Sequence, residues 1–248
     1  MKKIVVIMLL LISIFQLHSQ KNILITEKEG KFGILNQNGE QILRPKFNKI
    51  ELNKGYKNQW IKVSLDNKIG YIDYDGNEII PLKYNNIEDY TYNNNQWAVI
   101  ENNGKYGLID IKGKEILEPI YDSIAPFNKH KKEWAKITIN QKNGFINNKG
   151  IMVVHPIYDE IFPEGEYFKG WIRVRKGELY GFIEEKNGLE VVPTKYNEIE
   201  KFDLRKKDWA LVKQDKLYGF IDKTGKEAIP PSFEKVMSSD EFNLENKN

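Results

Sequence analysis

Along residues 97–124, WAVIENNGKYGLIDIKGKEILEPIYDSI, the apolar positions fall in short runs rich in β-branched and aromatic residues, broken by polar clusters that contain glycine. WAVIE and YGLID, bounded by NNGK and IKGK, predict two strands joined by a tight connection. EILEP predicts a third strand. Its proline lacks the N–H that a ladder needs and has a fixed φ, so it is expected to end the strand and turn the chain.

The pattern recurs along the chain. Gly33, Gly70, Gly107, Gly144, Gly181 and Gly219 are spaced 37, 37, 37, 37 and 38 residues apart. A second glycine keeps the same beat at Gly39, Gly76, Gly113, Gly150, Gly188 and Gly225. Prolines (Pro45, Pro81, Pro119, Pro156, Pro193, Pro231) precede an aromatic at Phe47, Tyr84, Tyr121, Tyr158, Tyr196 and Phe233. An aliphatic residue follows at Ile50, Ile87, Ile124, Ile161, Ile199 and Val236. All five tryptophans (Trp60, Trp97, Trp134, Trp171, Trp209) lie ten residues beyond one of these aliphatics. The single 38-residue spacing comes from FIEEKNGLE, one residue longer than LIDIKGKE between its glycines, and an insertion tolerated there marks a hairpin tip.

Six units therefore fill a single repeat domain over residues 20–236, at about 23–59, 60–96, 97–133, 134–170, 171–208 and 209–236. A polar tail, 237–248, follows, polar enough to be disordered. One small sheet cannot bury its own apolar face, so stability is expected from stacking unit on unit, with Trp, Tyr and Ile filling the seams. An exposed ladder of indoles for glycan stacking is the rival reading of the tryptophans.

Asp110 looks like a catalytic acid, but its counterparts are Asn36, Asp73, Asn147, Glu184 and Asp222, each just ahead of the tip that carries the second glycine. Asn and Asp cap such turns through their own backbone, and glycine supplies the positive φ, so a turn role is expected. Asp73 to Glu78, DYDGNE, echoes a calcium loop, yet the equivalent segments lack its second carboxylate.

Residues 1–19, a basic MKK followed by the apolar IVVIMLLLISIF and a small polar HS, read as a signal peptide too short to span a membrane, with a mature chain from Gln20. The protein is thus expected to be exported, periplasmic or extracellular, with no membrane span after cleavage. Loss of Lys2 and Lys3 leaves 36 cationic against 35 acidic residues, a net charge of 36 − 35 = +1, which argues against nucleic acid as a partner. The basic runs KHKK (129–132) and RKK (205–207) read as solvated loops.

Cysteine is absent, and the mature histidines, His130 and His155, lack a partner at metal-ligand spacing. His155 is expected at an exposed edge position. No phosphate loop, nucleophile elbow or nucleotide-binding motif occurs. No catalytic, cofactor-binding or metal-ligating residue is assigned, and no cofactor is expected.

The segments KYGLID…G…PIYD at 105–122, KIGYID…G…IIP at 68–81 and LYGFID…G…IPP at 217–231 resemble the WG-repeat family. In that family an apolar strand is followed by Lys-Trp-Gly, an Ile-Asp turn, Gly, Pro and Tyr-Asp. The tryptophan that names the family is replaced here by Phe32, Ile69, Tyr106, Asn143, Tyr180 and Tyr218. The resemblance implies a repeat fold and brings no catalytic residues with it.

The expectation is an all-β protein of six tandem hairpin or three-stranded repeats in an open β-solenoid, with a six-bladed β-propeller as the alternative. Its expected role is a non-enzymatic binding or scaffold module of the cell envelope, taking protein or glycan. Specificity would sit in the connectors EDYTYNNNQ, APFNKHKKE and FPEGEYFKG. A carbohydrate-active enzyme with a site between repeats is the alternative function.

Overall fold

The structure is a computed structural model that describes residues 23–54, 59–92, 94, 96–239 and 241–242. The predicted signal segment lies outside these residues.

The described residues form six antiparallel sheets. The first has three strands, β1 (Ile23–Lys28), β2 (Lys31–Asn36) and β3 (Gln41–Phe47). The others have four, and the third sheet is typical, with β8 (Asn86–Ile87), β9 (Trp97–Asn102), β10 (Lys105–Asp110) and β11 (Glu115–Tyr121) pairing in sequence order. The predicted three strands are thus present in every unit, and five sheets gain a fourth. That extra strand comes from the end of the preceding unit, so each of these sheets is knitted from two consecutive repeats. In the third sheet, Asn86 and Ile87 pair with Glu101 and Ile100 of the next unit.

The turns are local chemistry. Asn103 and Gly104 between β9 and β10 both have positive φ, 53° and 75°, as a two-residue hairpin of this type requires. At the second tip the Asp110 carboxylate accepts the N–H groups of Lys112 (2.8 Å) and Lys114 (2.9 Å), and Gly113 has φ 81°. Asn36, Asp73, Asn147 and Asp222 make the same pair of bonds. In the longer fifth tip Asn187 accepts from Leu189 instead.

The proline does not end its strand. β11 runs through Pro119 to Tyr121, because a bulge absorbs it: Tyr106 faces Tyr121 and Leu108 faces Leu117, so Gly107 alone opposes Glu118, Pro119 and Ile120. A Cβ on Gly107 would stand 2.5 Å from the Leu117 carbonyl and 2.8 Å from the Pro119 nitrogen. The first glycine of the repeat is therefore a close-approach residue, and the proline needs no ladder partner where it sits.

Each interior sheet is buried on both faces. In the third, Ala98, Ile100 and Ile109 meet Trp60, Tyr71, Ile80 and Tyr84 of the second sheet. Trp97, Val99, Leu108, Leu117 and Tyr121 meet Ala135, Ile137 and Ile146 of the fourth. Three further clusters join the first sheet to the second, the fourth to the fifth and the fifth to the sixth. Among the described residues no such cluster joins the sixth sheet to the first. Trp60, Trp97, Trp134 and Trp171 are only 6–9% exposed, which places them in the seams and excludes an exposed ladder.

The repeat's aromatic and the Asn or Asp that follows it fasten one sheet to the next. Asn85 and Asn197 accept the N–H of Asn103 and Asp215, and Asp159 accepts that of Gly177, each in the first hairpin turn of the following sheet. Lys105 and Lys142 make ion pairs with Asp122 and Asp159. Tyr84 donates to Glu115 at 2.5 Å, and Tyr196 to Glu227 at 2.9 Å. At the start of the tail Ser238 and Glu241 form a reciprocal capping box, and Arg205 reaches Glu241 at 3.2 Å.

Truncating Trp134 to Ala is expected to destabilise the protein by about 3–5 kcal/mol, the usual cost of removing a large buried aromatic. Urea titrations at unchanged m-value check it. The Trp209 counterpart, in the sixth sheet and only partly buried, should cost less.

Candidate functional site: the connector face

The connectors leading into the tryptophan strands are built as arches. Asn128 N–H donates to the Trp134 carbonyl and Trp134 N–H to that of Lys131; Asp203, Trp209 and Lys206 repeat this geometry. Asn128 and Asp203 have positive φ, and their side chains accept the N–H of Glu133 (2.6 Å) and Asp208 (2.5 Å). Each arch also drops an aromatic onto an indole: Tyr90 on Trp60 at 5.7 Å, Phe127 on Trp97 at 5.7 Å, and Phe168 and Phe202 on Trp171 at 5.0 and 5.5 Å between ring centres. Sequence reading left these anchors out of the core. Their signal was present, since Tyr90, Phe127 and Phe202 each stand seven positions before a tryptophan. The loops vary in composition on a preset backbone.

Two clefts open between arches. The larger, about 780 Å³, lies between the connectors before Trp97 and Trp134 and includes Tyr92, Asn94, Phe127, Asn128, Glu133 and Asn148 in its walls. It offers two rings and three amides, with Lys132 as its cation and Glu133 as its carboxylate. The Tyr92 and Phe127 rings meet edge to face at 6.3 Å, and the Tyr92 hydroxyl donates to the Ile124 carbonyl at 3.3 Å, so the aromatic wall is held in place. A smaller cleft of about 290 Å³ lies between the connectors before Trp134 and Trp171. His130, Lys131, Lys136, Phe162 and Glu164 are among its walls.

At this second cleft three charges from non-equivalent positions converge. Lys131 lies 2.8 Å from Glu185, on the inserted tip of the fifth unit, and 3.5 Å from Glu164. Its ammonium also stands 5.1 Å from the centre of the Trp134 ring, and its side chain is only 14% exposed. The Lys131 hydrogen bond holds the Glu185 carboxyl below its ordinary range against the opposing effect of burial. His130 meets the edge of the Phe145 ring, and desolvation followed by the charges of Lys136 and Lys129 pushes its pKa down.

The fifth unit departs from the repeat once more at Arg173. Its guanidinium is enclosed by Phe162, Tyr167 and Tyr180 at 4.2–4.5 Å from the ring centres, and it donates to the Tyr167 hydroxyl. The basic runs are less solvated than their sequence suggests. Lys131 is paired as described, Arg205 pairs with Glu200 at 2.9 Å, and Lys206 covers the Trp209 ring at 3.3 Å from its centre. His155 is exposed, on a strand. In the calcium-like loop, both Asp73 oxygens accept N–H groups of Asp75 and Asn77, which is turn chemistry. Among the described residues no group of three or more His, Asp or Glu is placed to hold a metal ion.

These features define a tandem stack of antiparallel β-sheets with a structured loop face. The WG containing repeat family matches at residues 32–68, 69–106, 106–142, 144–180, 180–218 and 218–241, and the chain belongs to that family. No curated protein matches the sequence. Among solved structures, the chain is similar to Kluyveromyces lactis Hsv2 (12% identity, TM-score 0.27, covering 88% of this chain and 81% of that one). It is also similar to the dihydro-heme d1 dehydrogenase NirN (12%, 0.27, 88% and 56%) and a eukaryotic initiation factor (10%, 0.28, 85% and 63%). The chain thus spans less than two thirds of the last two, and likeness at this level carries no argument about closure or role.

Replacing Lys131 by Met should leave Glu164 and Glu185 facing each other without their cation. In the native protein the depressed Glu185 pKa gives stability that is present above the ordinary Glu value, about 4.3, and lost as pH falls through the folded value. The difference in melting temperature between native and variant should therefore be largest near neutral pH and shrink below about pH 4. Thermal melts across that range check it.

Proposed function

We propose that this protein is an exported, non-enzymatic binding module of the cell envelope, and that its connector face takes a glycan. The supporting observation is the larger cleft, with three amides beside two aromatic rings on the β frame. Amides and hydroxyls recognise a polyhydroxylated ligand by hydrogen bonds, and ring faces cover the apolar side of a sugar. The volume lies within the ordinary range for small-ligand sites. The N-terminal apolar segment supports export, and the even charge of the mature chain suits a neutral ligand better than a polyanion.

A carbohydrate-active enzyme is the second reading, favoured by the convergence of Glu164 and Glu185. A glycosidase needs one carboxyl held protonated near neutral pH. Lys131 acts in the opposite sense on Glu185, which suits a structural ion triad better than a catalytic pair.

The test is a glycan array with the mature chain, followed by titration calorimetry on any ligand found. Asn94→Gly with Asn148→Ala removes two amides without touching the core, the glycine keeping the positive φ of 56° at position 94. At about 1 kcal/mol per hydrogen bond the pair should weaken binding roughly tenfold or more, with melting temperature unchanged. A chain that binds no glycan, or a double variant that binds as tightly as the parent, would refute the reading.

A further inference from the structure

We propose that the chain assembles head to tail with further copies of itself, the segment after Phe233 of one copy supplying the missing strand of the first sheet of the next. In the second to sixth sheets the segment just past the aromatic, as in Asn86–Ile87 or Glu198–Ile199, pairs with the strand that begins at tryptophan. The first sheet contains only β1, β2 and β3 among the described residues, and the outer edge of β1 carries no strand there.

The other half of the contact stands at the opposite end. Phe233 and Val236 have the spacing of Tyr84 and Ile87, yet residues 234–238 are not in a strand. Register equivalence with the third sheet would set Lys235 across from Glu27 and Val236 across from Thr26. The equivalent position carries an ion pair in two internal sheets, Arg175 with Glu160 at 3.3 Å and Lys213 with Glu198 at 3.1 Å. Lys235 and Glu27 continue that pairing with the signs exchanged.

The flanking faces match in the same way. Leu24 occupies the position of Ala98 and Ala135, both 0% exposed, yet is itself 57% exposed. Phe233 occupies the position of Tyr84, 1% exposed, and is 47% exposed. Every internal seam covers these two positions by stacking one sheet on the next. A second copy would cover both through an interface that the molecule already makes five times within itself. Such a contact uses different surfaces on its two partners, so it propagates as a chain of copies unless rotation closes it.

The test exploits the absence of cysteine. The mature chain is prepared as Glu27→Cys and, separately, as Lys235→Cys, and the two are mixed under mild oxidation. A disulfide-linked dimer in the mixture, absent from either variant alone, and a ladder of species from the double variant are the expected results. A double variant that instead cyclises within one monomer would overturn the proposal in favour of a closed ring. Equal dimer in the single-variant samples, or no cross-link at all, would also overturn it. Light scattering of the mature chain should show an increase in mass with concentration, and Leu24→Lys, at an exposed position, should abolish that increase while leaving the melting temperature of the dilute chain intact. Retention of that increase would count against the model.

Discussion

The fold depends on the approach of one sheet to the next across an apolar seam. A single sheet in this protein has no core of its own, since both faces of every interior sheet are apolar and each is covered only by a neighbour. The seam must also be thin. Gly188 and Gly225 lie against the preceding unit so closely that a Cβ would stand 2.7 Å from the Val153 carbonyl or 2.5 Å from that of Val191. The second glycine of the repeat therefore answers two demands at once, the positive φ of the tip and contact with the backbone 34 or 35 residues earlier.

Strand sharing makes the seam cooperative. The last strand of one unit leads directly into the first strand of the next sheet, and the Asn or Asp after the aromatic at that junction accepts a backbone N–H of the following hairpin. Burial pushes the Tyr71 hydroxyl up to about 12, with smaller contributions from Asp89 and Glu51, and it raises Tyr84 further with the help of Glu115. Both are accordingly neutral at physiological pH. The Tyr84 hydroxyl donates to Glu115, whose carboxyl is penalised by burial but brought below its usual range by hydrogen bonds from Lys83 and Tyr84. These polar links join consecutive units beside the apolar seam.

The connector face inherits its rigidity from the same seams. The rings of Tyr90, Phe127, Phe168 and Phe202 rest on tryptophans that the sheets already hold, so the loops gain order from the core beneath them. Variation in the outward residues then changes the clefts without unsettling the frame. The fifth unit carries the largest departure, where its inserted residue brings Glu185 to Lys131, and Arg173 is enclosed by three rings.

The period, the strands, both tips and the burial of the tryptophans were legible in the sequence because each is set by local chemistry: alternation along a strand, a positive φ at Gly113 or Gly225, and an Asp that caps its own turn. What the chain does at Pro119 was not, because a bulge is defined by the partner strand, and Gly107 is read as its counterpart only when the two are seen side by side. The fourth strand was hidden for the same reason, since Asn86 and Ile87 belong by sequence to one unit and by hydrogen bonding to the next. Tertiary structure alone decided which charges meet, as with Lys131, Glu164 and Glu185. Convergence in space depends on how successive sheets stack, and no short-range pattern encodes that.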